Sequence, residues 1–344
     1  MKKHEPLPVD HERVPRPALH QQIDQDRFDA LGGLAVQVEG GFQHGRMVHP
    51  PPEHRREAPR TRAPRSTAVV DRPRGAPVEI LIRPTAAHVA RLVARIVLDR
   101  VHAKPELVLG CATGRTMEAV YDELVVAHRA GTVDLGRLRT FNLDEYVGLA
   151  PDDPRSYHHF MRARFFDPIG LPLARTRLPN GVATDLGAEA RAFEGAIAEA
   201  GGIDLQLLGL GETGHIGFNE PLSALMSRTR EKALTPTTRA QNAAMFGDDP
   251  AAVPARALTM GVGTILEARE VLLVATGAAK AAVLARATEG PITARISATA
   301  LQLHPNCKVI VDEAAATELE GTEYYRFLYA QEPEWAAYRR DPRL

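Results

Sequence analysis

Cysteine is nearly missing from this chain: Cys111 and Cys307 are the only two in 344 residues, too few for a disulfide framework and in no spacing that suits zinc. An excess of charge of one sign is missing too. With Lys+Arg 42 against Asp+Glu 43, the chain offers no broad attraction to nucleic acid or to an anionic membrane, and neither is expected as a partner. No run of 18 apolar residues is present to span a bilayer, and the opening MKKHEPLPVDHERV lacks the apolar stretch of a secretory signal. These absences lead to the expectation of a soluble protein of a reducing cytoplasm. The remaining composition is ordinary: at 44% hydrophobic and 25% charged, the chain can bury a substantial core.

Residues 1–77 stand apart. They hold 11 of the 26 prolines and 6 of the 13 histidines with no sustained apolar period, and read as a disordered Pro/Arg/His-rich extension. Between Arg46 and Arg74 eight arginines meet only Glu53, Glu57 and Asp71; a solvated tail is the favoured reading over contact with an anionic partner. His44, His49 and His54 lie among prolines, where no helix face aligns them as metal ligands.

From Val78 onward, short β-branched or leucine-rich runs alternate with longer amphipathic segments, the pattern of an α/β protein with a mainly parallel sheet covered by helices. Strands are predicted at 78–83, 106–110, 139–143, 204–210, 257–260, 270–275 and 308–311. Helices are predicted at 86–101, 117–129, 157–166, 188–200 and 278–287. No repeat or linker interrupts 78–320, so one domain is expected there, with 321–344 a C-terminal tail.

In an open parallel sheet the ligand crevice lies beyond the carboxyl ends of the strands, where loops converge and helix N-termini turn their amides outward. Four polar segments of this chain follow predicted strands directly. GCATGRT (110–116) is a Gly/Thr turn opening a helix, able to hold a phosphate; it has neither the Lys-Ser/Thr ending of a nucleoside-triphosphate loop nor the three glycines of a dinucleotide fingerprint. Arg115 favours an anion there. In FNLDEYVGL, Asp144 and Glu145 are adjacent, so one of them at most faces the crevice, where a desolvated carboxylate serves as a general base; a helix-capping role is the competing reading. GLGETGHIGFNEP (209–221) sets His215 and Glu220 on a glycine-rich loop, a group that titrates near neutrality with a carboxylate to poise it. ATGAAK puts Lys280 just past another strand end, where an ammonium meets a phosphate.

Taken together, these segments closely resemble the glucosamine-6-phosphate deaminase (isomerase) family over about 78–319. The marks are TFNLDEYVGL (140–149), SYHHFM (156–161), GHIGFNEP (214–221), SRTR (227–230), ALTMGVGTIL (257–266) and LQLHPN (301–306). The resemblance implies a three-layer Rossmann-like fold with helices on both faces of the sheet. It also implies metal-independent, cofactor-free conversion of glucosamine 6-phosphate to fructose 6-phosphate and ammonia. By position, Asp144 would move a proton from C2 to C1, His215 would assist ring opening with Glu220 in support, and Thr113, Gly114, Thr116 and Lys280 would hold the phosphate; Gly214, on the loop of His215, is a further substrate-binding candidate.

Three positions depart from the family pattern. Thr213 stands where an Asp or Asn is usual; it can hydrogen-bond the imidazole but cannot balance its charge, so ring opening is expected to be slower or arranged differently. Ala244 stands where an arginine usually reaches the phosphate, and Arg115 is expected to replace that guanidinium. The resemblance also allows a homo-oligomer activated by N-acetylglucosamine 6-phosphate, with Arg230 and Lys232 placed for such contacts. The rival readings are a shift to galactosamine 6-phosphate, a 6-phosphogluconolactonase, disfavoured by FNEP and LDEY, and a non-catalytic sugar-phosphate sensor, disfavoured by the joint presence of Asp144, His215 and Glu220.

Overall fold

The computed structural model describes residues 78–344; the readings made for 1–77 lie outside the described residues. In chain order the elements begin with β1 (Glu79–Arg83), α1 (Ala86–Ala103), β2 (Val108–Cys111), α2 (Arg115–Arg129), β3 (Arg139–Asn142), β4 (Asp144–Tyr146) and α3 (Tyr157–Met161). A π-helical turn (Arg162–Phe166), β5 (Thr176–Arg177), α4 (Leu186–Glu199), β6 (Leu205–Gly209), β7 (Arg230–Ala233), α5 (Pro236–Asn242), β8 (Arg256–Thr259) and α6 (Val262–Leu266) follow. The chain closes with β9 (Val271–Ala275), α7 (Ala281–Thr288), β10 (Cys307–Asp312), α8 (Thr322–Gln331) and α9 (Ala336–Arg339).

Seven strands form one parallel sheet in the order β1-β10-β9-β6-β2-β3-β5. The inner strands β9 and β10 are buried along their whole length; VLLVA is an uninterrupted apolar run, as a strand covered on both faces requires, while CKVIVD sets Val309–Val311 between the buried Lys308 and Asp312. The buried side chains of α1, Val89, Leu92, Val93, Ile96 and Val97, follow the spacing of one helix face, and the Thr85 hydroxyl caps its start by accepting the His88 N–H. The fold is the three-layer Rossmann-like α/β architecture expected. From β2 the chain winds outward through β3 to β5, then returns to β6 on the other side of β2. The gap beyond the ends of β2 and β6 is therefore the topological switch point, where ligands of such sheets bind.

Several details differ from expectation; the helix expected at 157–166 is α-helical only to Met161 and continues as the π-helical turn. The segment 139–143, expected as one strand, is divided at Leu143. There the N–H donates to the Cys111 carbonyl in the large sheet, while the carbonyl accepts the Met260 N–H at 2.6 Å from a second sheet. This second sheet is antiparallel, in the order β4-β8-β7, and takes in the predicted strand at 257–260. The segment expected as a tail packs α8 on β1 and buries Trp335 against Tyr338, and Arg83 donates to the Leu344 carbonyl at 2.6 Å. An otherwise bare sheet edge is thereby covered. Among the described residues no helix is long and apolar enough to cross a membrane.

Candidate active site

At the switch point a cavity of about 560 Å³ opens beyond the carboxyl ends of β2, β6 and β9. All four polar segments reach its wall. Thr113, Gly114, Arg115 and Thr116 contribute from the first, Asp144 from the second, His215 from the third and Lys280 from the fourth.

The first side of the cavity is the start of α2. Gly114 precedes the helix with φ 112, a backbone region that side-chain-bearing residues rarely adopt, and no side chain caps the helix. The Met117 and Glu118 amides turn back to the Gly114 carbonyl, which leaves those of Arg115 and Thr116 to a ligand, at the positive end of a 15-residue helix. Lys280, on the same cavity, ends the short turn that follows Gly277. Burial draws its ammonium below the ordinary value; Arg115 pushes the same way, and Glu212 opposes them. Two cations and one acid thus share this end, an arrangement that an arriving dianion would relieve. Ala244 is exposed and does not line the cavity. Cys111, beneath the loop, is fully buried with its thiol pushed up to about 12 by burial, which excludes it as a nucleophile.

Asp144, also on the wall, is the first residue of β4 and 6% exposed. Its carboxyl is pushed up to about 8, by burial first and by the charge of Glu145 second, against the pull of the Phe218 amide. Strand alternation turns Glu145 the other way, into the interior, so the two acids part as expected and Asp144 caps no helix.

His215 completes the set. Its Nδ1 lies 2.8 Å from the Thr213 hydroxyl and 3.6 Å from Glu220 Oε2, leaving Nε2 as the ring nitrogen available to a ligand. The ring rests on the backbone of Gly211: a Cβ there would come within 2.2 Å of Nε2, so only glycine fits. Burial would raise the Glu220 carboxyl, but His215, Thr238 and the Thr235 amide hold it below the usual carboxylate range. Its Oε1 accepts the Thr235 N–H at 2.9 Å. Glu220, Thr213 and Gly214 are not on the cavity wall; the first two stand behind the imidazole, and Gly214 packs toward Ile296 and Val283.

Among the wall residues that sequence reasoning missed, four polar ones stand out. Tyr157, at the start of α3, stands out in the sequence only as part of a family mark; its buried hydroxyl lies 3.3 Å from that of Tyr146. Glu212 is inconspicuous inside the glycine-rich loop. Gln241 and Asn242 end α5, and Gln241 accepts the Glu212 N–H at 3.3 Å; nothing in the RAQNAAMF pattern marks them. Arg230 and Lys232 lie on β7, away from the cavity wall, and Arg230 donates to Asn219 Oδ1 at 2.8 Å. Among the described residues no group of three or more His, Cys, Asp or Glu side chains is placed to hold a metal.

Residues 83–309 match the family model described as glucosamine-6-phosphate isomerases/6-phosphogluconolactonase. The chain belongs to this family. It is 46% identical over 258 residues to the glucosamine-6-phosphate deaminase of Streptomyces coelicolor, covering 75% of this chain and 99% of that one. It is 49% identical over 243 residues to the glucosamine-6-phosphate deaminase of Rhodopirellula baltica, covering 71% and 96%. A solved structure of a monomeric glucosamine-6-phosphate deaminase superposes with a TM-score of 0.68 at 41% identity, covering 70% of this chain and 100% of that one. The 6-phosphogluconolactonase of Trypanosoma brucei, at 21% identity and a TM-score of 0.56, covers 70% and 98% and shares the fold. Within the glucosamine-6-phosphate isomerase/6-phosphogluconolactonase family, sequence likeness thus leans to the deaminases.

Proposed function

We propose that this chain is a glucosamine-6-phosphate deaminase, an enzyme of amino-sugar catabolism acting without cofactor or metal. The observation that carries the reading is that one cavity is lined by a buried carboxyl poised at about 8, an imidazole, the start of a helix and two cations. The phosphate would sit on the amides after Gly114, with the hydroxyls of Thr113 and Thr116 and the charges of Arg115 and Lys280. His215, oriented by Thr213 and Glu220, passes a proton to the ring oxygen and opens the pyranose to the aldehyde. Asp144 then takes the C2 proton, giving an enolamine, and returns it to C1, giving an iminium at C2. Water adds at C2 and ammonia leaves, so glucosamine 6-phosphate and water become fructose 6-phosphate and ammonia. A cytoplasmic setting goes with this reading, since both cysteines are free and buried thiols.

The purified chain should release ammonia from glucosamine 6-phosphate faster than from galactosamine 6-phosphate and leave 6-phosphogluconolactone untouched. Lactone hydrolysis without ammonia release overturns the reading. Arg115→Ala tests the phosphate end. A hydrogen bond to a charged group contributes about 1.5–3 kcal/mol, so KM should rise about 10- to 100-fold with kcat little changed. An unchanged KM would show that Arg115 does not replace the arginine missing at Ala244.

A further inference from the structure

Glu145 is a fully buried acid for which the proposed chemistry has no step. Its carboxylate accepts the amide N–H of Tyr146 at 2.8 Å, of Tyr157 at 3.1 Å and of His158 at 3.0 Å, and the Nδ1 of His158 at 2.8 Å. The three backbone amides can only donate, and the Nδ1 of His158 donates as well when it carries its proton. Three converging amide donors suit a charged group in the interior. Interior charge is costly, and a second acid beside Asp144 on a three-residue strand costs more still unless its field has a use.

We propose that Glu145 is a positioning residue for Asp144: it pins β4 to the first turn of α3 and sets a fixed negative charge behind the carboxyl on the cavity wall. The inference rests on the reading of Asp144 as the base. A negative charge beside a buried carboxyl disfavours its ionisation, which makes the ionised form a stronger proton acceptor near neutral pH. Burial is the larger cause of the rise of Asp144 and Glu145 the next. The other titratable groups around the pair are Tyr146 on β4 and Tyr157 and His158 on α3, both tyrosines being pushed up by burial and kept neutral. His215, Arg115, Glu212 and Lys280 line the same cavity. Glu145 thus differs from these groups in combining full burial with direct sequence adjacency to the base.

The test is the pH dependence of kcat/KM for ammonia release. In Glu145→Gln the acid limb should move about one unit toward lower pH, a change that loss of packing alone does not produce. Glu145→Asp keeps the charge on a shorter arm, so it should lower kcat and leave the limb where it is. A limb unmoved in the glutamine variant, or moved equally in both, overturns the proposal. Should neither variant fold, carboxyl-carbon NMR of the wild-type protein decides. Asp144 titrating near 8 supports the proposal, and Asp144 titrating near its ordinary value overturns it. The NMR titration needs no turnover. A wild type that releases no ammonia would therefore count against the deaminase reading, while the spectra still decide the role of Glu145.

Discussion

Asp144→Asn is expected to bind glucosamine 6-phosphate with little change in affinity and to lose turnover by about 10³-fold, within the range contributed by a positioned general base. Asparagine keeps the shape of the side chain and its hydrogen bonding but cannot take a proton from C2. The same substitution should make the protein more stable at alkaline pH. A carboxyl raised to about 8 in the folded chain binds its proton more tightly there than in the unfolded chain, where it titrates near 3.8. Its contribution to stability is therefore fully present below the unfolded value and is lost as pH rises through about 8. Asparagine has no such loss. Thermal unfolding at about pH 6 and about pH 9 should show the variant gaining on the wild type at both, and by more at the higher pH. A variant that loses activity and stability together under the alkaline condition would mark Asp144 as a structural residue instead.

His215→Gln is expected to lower kcat/KM by about 100-fold, the lower end of acid–base effects, because the pyranose also opens unaided in water. The residual rate should level off, as more variant is added, at the rate of unaided ring opening in the same buffer. Full activity in this variant would remove the imidazole from the mechanism. The neighbour at Nδ1 gives this chain a character of its own. A carboxylate beside Nδ1 would fix the proton there, whereas the Thr213 hydroxyl, at 2.8 Å, both donates and accepts and so serves either tautomer. Glu220, at 3.6 Å, remains behind as the nearest counter-charge for the imidazolium.

How far the sequence carries depends on whether a residue's setting is local. The parallel sheet is legible because VLLVA, LQLLG and their like are buried on both faces and punctuated by loops, a pattern written into neighbouring residues. The site is legible because polar loops follow strand ends, and the switch point brings such ends together. The break at Leu143 is not, since it depends on a hydrogen bond from Met260, over a hundred residues away. Nor is the role of α5: Gln241 and Asn242 come to the wall through packing of a short helix whose sequence has no apolar period to orient it. The covering of β1 by α8 is hidden for a similar reason. Tyr325 and Tyr329 pack only partly against the core, while Tyr324 and Phe327 stay exposed, so the helix has no clean buried face.

A single hexose must be gripped by its phosphate at one end of the cavity while its second carbon faces a proton acceptor at the other. A crystal structure with an unreactive open-chain amino-alditol 6-phosphate tests that directly. The phosphate is expected on the amides after Gly114, between Arg115 and Lys280, with C2 within about 3.2 Å of an Asp144 carboxylate oxygen. A phosphate bound elsewhere, or a C2 turned away from Asp144, would contradict it.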